Sequence, residues 1–382
     1  MTEISAGLSR PSSFARYWAQ VPRIERRRAS AMIIVGFSYA AIVLAVTLIY
    51  GRLTYFRIAS YGGMSAMTAW FIVCVTFLAH SVQLLQKPTD KGYWRQIAGD
   101  ISKNVLAPRK FIMYATPFVV VPFFIAAFTS LKTQIPFIVG FSWDEALFAA
   151  DRWLHGGVDP WVWTHSLFGS DIATTIIGYF YNAWFGVIWL FFMWWVFKLD
   201  RPVERTRYIL AFMFVWIGMG SITALGLSSV GPCFYGRIVP GVDPYAGLMT
   251  TLEAINARVI EWPGPFSVWA LTAQEHLWFV YTNDLGYAAG GISAMPSMHV
   301  SIAVLMACAA RHISRKMFII MVVYAIITMI GSVHLAWHYA LDGYVSAIGT
   351  VAIWWATGRV MRRFKLDDPT GLSQSKAAPV SG

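Results

Sequence analysis

Charge is what this 382-residue chain has least of: Asp, Glu, Lys and Arg together make up 13% of it, about half the share found in soluble globular domains. Acidic side chains are the scarcer kind, 19 against 30 basic ones. With 57% hydrophobic residues, that poverty excludes a soluble domain and a disordered chain alike. Cysteine is nearly absent. Of the three, Cys74 and Cys308 fall inside apolar runs and Cys233 stands alone in a connection, so no internal disulfide is expected. Internal repeats are lacking, and low complexity is confined to the polar tail after Asp367. The first apolar run follows a basic tail and has no small-residue cleavage site, so it reads as a retained span and not a signal peptide.

What the chain does have is apolar length. Mean hydropathy is +0.55, and eight runs approach the ~20 residues that cross a bilayer as a helix: 31–50, 62–85, 111–130, 172–197, 206–229, 294–310, 317–331 and 339–358. The expectation is an all-α, polytopic transmembrane helical bundle of about eight spans. Basic residues alternate from one connection to the next, with 24 of the 30 Lys and Arg on one side. Both termini are therefore expected in the cytoplasm. Arg52, Arg57, Lys132, Arg152, Arg237 and Arg258 are left for the outer face. The net charge of +11 hugs the ends of spans and forms no stripe with interleaved aromatics, which argues against nucleic acid and for a lipid bilayer as partner.

Two connections are long. In 131–171, apolar residues between Trp143 and His155 recur at helical spacing. This reads as an interfacial helix ended by Gly156-Gly157, with Asp144, Glu145, Asp151 and His155 facing water. The second, 230–293, is too aromatic to be disordered and reads as a folded outer cap.

Chemistry is concentrated in two short polar stretches near the C-terminus, Pro296-Ser297-Met298-His299 and His334-Leu-Ala-Trp-His338-Tyr-Ala-Leu-Asp342. Ionisable groups in membrane sequence are costly and mark function. His338 and Asp342, four apart, are expected on one face at the start of the eighth span, with His334 a turn earlier if the helix begins there. The carboxylate can take the N–H of one ring nitrogen and leave the other basic, as a nucleophile or general base. His299 opens the sixth span from the same membrane face, and Pro296-Ser297 adds a hydroxyl and free backbone N–H groups at a helix start, which suits an anion. Both arguments converge on phosphate chemistry.

These two motifs, 39 residues apart between His299 and His338, resemble the second and third signatures of the type 2 phosphatidic acid phosphatase (PAP2) superfamily. They are most similar to its inositolphosphotransferase branch, the aureobasidin-resistance or inositol phosphorylceramide synthase-like proteins. The resemblance implies a six-helix catalytic core over residues 111–358; the apolar runs before it read as an accessory two-span hairpin over 31–110, and the charge count makes 1–30 and 359–382 cytoplasmic tails. It implies a lipid-phosphate phosphatase or phosphotransferase acting at the outer face on a phospholipid, sphingolipid or prenyl phosphate, with no cofactor and no metal. A bacterial inner membrane, with a periplasmic site, is the expected location; an endomembrane with a lumenal site is the eukaryotic equivalent.

In such families the residue matching His338 attacks phosphorus, Asp342 orients it, His299 protonates the leaving oxygen, and Ser297, beside Met298, binds phosphate. The chain also departs from the pattern. Met298 replaces a Gly, Ser332 stands where the phosphatase branch has Arg, and the first basic signature is missing, since Lys198-Leu-Asp-Arg201-Pro202 has the wrong spacing and side. Some cation must still face the phosphate. Arg237 is the first candidate and Arg258 the second, while His334 is a candidate for phosphate or acceptor. Two rival classes are a proton-coupled transporter using the His and Asp as a relay, and a zinc enzyme using His334, His338, Asp342 and a further His.

Overall fold

The structure is a computed structural model that describes residues 18–56, 95, 99, 107–285 and 290–368. Among the described residues there are twelve helices of nine residues or more and no strands. They are α1 (Arg23–Ile49), α2 (Pro108–Val139), α3 (Asp144–Leu154), α4 (Pro160–Phe168), α5 (Asp171–Asn182) and α6 (Trp184–Phe197). Then follow α7 (Pro202–Ile217), α8 (Ala246–Val259), α9 (Trp269–Thr282), α10 (Met298–Ala310), α11 (Arg315–His334) and α12 (Ala340–Arg363). The run 62–85 and Cys74 lie outside the described residues.

Five stretches are long and apolar enough to cross a membrane: α1, α2, α5 with α6, α7 with its extension to Gly226, and α11. The sixth expected span is shorter than the apolar run from which it was read. Residues 290–297 are not helical, so α10 has 13 residues, about 20 Å at 1.5 Å each. In α12 the polar residues Asp342, Ser346 and Thr350 are all buried. Its 24 residues suffice to cross, about 36 Å, but its apolar character is diluted by this inward face.

Helix ends follow local chemistry. Proline opens α2, α4 and α7 at positions that need no N–H, and Ser170, Ser297 and Ser314 cap α5, α10 and α11 by accepting from Ala173, Val300 and Met317. Past Ile217, α7 widens into a π-turn over Gly218–Thr223. There Gly220 lets the Phe128 ring approach to within 2.7 Å of where a Cβ would stand and the Met298 sulfur to 3.1 Å, so the turn knits α2, α7 and α10 together.

The membrane core is built from α1, α2, α6, α7, α10, α11 and α12. Leu190, Ile172, Ile222 and Ile348 are exposed on the outside of the bundle, as lipid contact requires. Charged groups collect at one end: Arg28 donates to the carbonyls of Leu366 and Asp368 at 2.9 Å each, and Arg109 pairs with Glu25. Arg205 donates to the Met113 carbonyl, and Arg201 to that of His312. The Lys198-to-Pro202 stretch belongs to this end, a full helix length from the start of α12. A second core, from Leu147 and Val230 through Tyr245, Leu248 and Leu252 to Leu335 and Tyr339, lies under the α3, α8 and α9 cap at the other end.

Candidate functional site

His338 precedes α12 by two residues instead of lying in it, and His334 ends α11, so the three residues do not share one helical face as expected. The connecting turn, in which Ala336 has φ 63°, is held on several sides. The N–H groups of Trp337 and His338 donate to the Ser332 carbonyl at 3.0 Å, Cys233 N–H to the Ala336 carbonyl at 3.0 Å, and Gln274 to the Leu335 carbonyl at 2.9 Å. Gly231, at φ 88°, sits between both motifs: a Cβ there would be 2.8 Å from that of Ala294 and 3.0 Å from the Trp337 carbonyl. Only glycine fits.

Held this way, His338 Nδ1 lies 3.1 Å from Asp342 Oδ2. A carboxylate accepts, so Nδ1–H donates and the Nε2 lone pair is free. Asp342 is fully buried, His338 is 8% exposed, and the ring lines a small cleft with Asp151, Pro160, Trp161, Pro232, Tyr245, Leu248, Val333 and Tyr339.

His299 is the second residue of α10, and Tyr181, which stacks on its ring, also lies parallel to the ring of Trp337, the neighbour of His338, at 6.5 Å. The His299 ring is boxed by aromatics of α5 and α6: Tyr181 stacks on it at 4.5 Å, Trp184 lies at 4.2 Å and Phe185 is edge-on at 5.6 Å. The Trp184 indole N–H donates to the His299 carbonyl at 3.0 Å, fixing the backbone as well. Ser297 is fully buried; its hydroxyl caps Val300 N–H at 3.4 Å and its carbonyl accepts from Ser346 of α12 at 2.9 Å. A first helical turn leaves its leading N–H groups without carbonyl partners, here those of Met298 and His299. The Met298 thioether itself packs toward Gly220 and Phe128.

The other expected site residues are engaged elsewhere. His334 is fully buried, with Nε2 2.9 Å from the Thr174 hydroxyl and Nδ1 3.3 Å from that of Thr164. Its ring stacks on His165 at 3.9 Å, and His165 Nε2–H donates to the His334 carbonyl at 3.0 Å. Burial pushes the His165 imidazole below its ordinary pKa, the carbonyl bond acting against it. With both nitrogens on threonines, His334 does not join His338, Asp342 and His299 as a metal ligand set. We expect His334→Leu to cost about 2 kcal/mol through the lost hydroxyl bonds, seen as a lower thermal midpoint, with KM changed less than threefold. A KM effect larger than the stability effect would return His334 to the substrate.

Arg237 forms an ion pair with Glu275, with Nη1 3.3 Å from Oε2, and lies over Trp278 at 5.0 Å. Arg258 makes a two-pronged pair with Asp171 at 2.8 and 2.6 Å. Both guanidiniums are therefore neutralised at the cap surface.

Two groups of residues were missed by sequence reasoning. One is Lys132 of α2, a turn beyond Phe128, whose carbonyl would lie 2.9 Å from a Cβ on Gly291 in the segment leading to Ser297. Its ammonium makes no ion pair among the described residues. A lone lysine at the end of an apolar run was the available signal. The other group corrects the interfacial helix. Asp144 and Asp151 do not face water; they are 3% and 2% exposed. Asp144 accepts from Val230 N–H, Gly231 N–H and the Tyr339 hydroxyl, and Asp151 from the N–H groups of Ala340 and Leu341. Burial pushes both carboxyls above the usual carboxylate range, and these donors pull them back.

A family model described as the PAP2 superfamily matches residues 145–356. No curated protein and no solved structure matches the chain.

Proposed function

The chain belongs to the PAP2 superfamily, and from that premise we propose that it is an integral membrane lipid-phosphate phosphatase or phosphotransferase working through a phosphohistidine at the outer face. His338 Nε2 attacks phosphorus while the bond to the leaving oxygen breaks, and His299 gives that oxygen a proton. Asp342 accepts the hydrogen bond from His338 Nδ1–H and balances the positive charge that the ring gains. Water or a lipid alcohol then attacks the phosphorus, His299 takes the acceptor's proton, and the P–N bond breaks. Lys132, the N–H groups at the start of α10 and the Ser297 turn face the phosphate oxygens, in the role for which sequence alone pointed to Arg237. A headgroup transfer between lipids, as in the inositolphosphotransferase branch, and plain hydrolysis use the same first step and differ in the acceptor.

The observation that carries this reading is the His338–Asp342 contact of 3.1 Å, with His299 brought toward it from a separate helix by Tyr181, which stacks on the His299 ring at 4.5 Å and lies parallel to the ring of Trp337, next to His338, at 6.5 Å. The outer-face assignment is supported by the 24 of 30 basic residues that the sequence puts on the other side. The test is to incubate purified protein with phosphorus-labelled phospholipid, sphingolipid and prenyl phosphate donors, quench in alkali, where phosphohistidine survives, and map the label. Label on His338 is expected, increasing in His299→Ala when the donor has a good leaving group. Turnover without any protein-bound label would overturn the covalent step.

A further inference from the structure

On α3 the polar positions 144, 151 and 155 are spaced by seven and four, which puts them on one helical face, while Glu145 lies off it and is exposed. That face meets the beginning of α12. The residues between His338 and Asp342 are Tyr339, Ala340 and Leu341, and α3 holds each of them. The Tyr339 hydroxyl donates to Asp144 Oδ1 at 2.8 Å, Ala340 N–H to Asp151 Oδ2 at 3.1 Å, and Leu341 N–H to Asp151 Oδ1 at 2.9 Å. A third link runs through His155: its Nδ1–H donates to the Asp151 carbonyl at 2.6 Å, and its Nε2 is 2.9 Å from the Tyr344 hydroxyl.

We propose that Asp144 and Asp151 are positioning residues: together they set the turn that separates the nucleophile from its orienting carboxylate, and so the direction in which His338 Nε2 points. The first N–H groups of a helix have no internal partners. Asp151 accepts two of them with its two oxygens, which fixes the orientation of α12 relative to the turn that carries His338. Asp144 anchors the same turn to Val230 and Gly231, the segment that touches Ala294 and Trp337. The 3.1 Å contact between His338 and Asp342 spans three residues that are all tied to another element, so its length is decided by α3 and not by α12 alone. Loss of one tie lets the imidazole swing, and a displacement of the order of 1 Å at a reacting atom costs roughly 100-fold in rate.

This inference rests on His338 being the nucleophile. The test compares Asp151→Asn, which keeps one acceptor oxygen, Asp151→Ala, which keeps none, and Tyr339→Phe, which removes only the Asp144 hydroxyl bond and leaves Asp144 on Val230 and Gly231. Glu145→Gln is the control. In full-length protein, kcat should fall about tenfold in Tyr339→Phe and Asp151→Asn and about 100-fold in Asp151→Ala. KM should stay within threefold, His338 should be labelled correspondingly more slowly, and Glu145→Gln should behave as wild type. Folded Asp151→Asn and Tyr339→Phe with wild-type kcat and labelling rate would overturn the clamp. Wild-type turnover without label on His338 would instead overturn the phosphohistidine reading, with kcat of the same variants still deciding whether α3 orients that turn.

Discussion

His338→Ala is expected to remove turnover almost entirely, a loss of at least about 1,000-fold in kcat, because no other group in the site can take over a covalent step. The residue is 8% exposed, so its truncation leaves a cavity, and it also orphans Asp342, which is fully buried and whose Oδ1 has no hydrogen-bond partner. An uncompensated buried carboxylate destabilises by several kcal/mol. His338→Gln, which keeps a donor for that carboxylate, therefore separates chemistry from folding. It should unfold near the wild-type midpoint and still fail to release product from labelled lipid phosphates. Near-normal kcat in folded His338→Gln would end the nucleophile assignment, whatever the substrate.

The second large effect is expected at Lys132. Neutralising the phosphate is the main electrostatic task in such a transfer, and removing one preorganised donor from a water-poor site costs about 100- to 1,000-fold. Arg237 and Arg258 are committed to Glu275 and Asp171, whereas Lys132 lies against Gly291 in the segment that leads to Ser297 and makes no ion pair among the described residues. Lys132→Met should lower kcat/KM by about 100-fold with the fold intact, since methionine suits an apolar helix, and Lys132→Arg should recover part of the loss. Arg237→Ala should change kcat/KM by less than threefold. A larger effect at Arg237 than at Lys132, in kinetics with the same lipid phosphate, would restore the assignment read from sequence.

Much of the fold was legible because its causes are local. Apolar run length marks the spans, serine and proline mark helix starts, and Gly156-Gly157, both at positive φ, end α3 where the sequence puts the stop. What failed failed for physical reasons. Residues 294–297 belong to a non-helical lead-in packed by the close approach of Gly231 and Gly291, so α10 is shorter than its run. On α3 the amphipathic pattern was read correctly as a helix, but an acidic face looks the same whether it meets water or the N–H groups of another helix. Asp144 and Asp151 were assigned to water for that reason.

The sequence by itself determined the helical membrane bundle and put a histidine and an aspartate four residues apart, since periodicity and spacing act within a few residues. It also matched both motifs to one superfamily. Only the tertiary structure decided what surrounds them. His334 meets Thr174 and Thr164, 160 and 170 residues away, Asp151 meets Ala340 across 189, and Lys132 packs its backbone on Gly291 in the lead-in to Ser297. Partners that distant are chosen by packing, because a buried polar group takes whichever complementary group the packed helices bring to it.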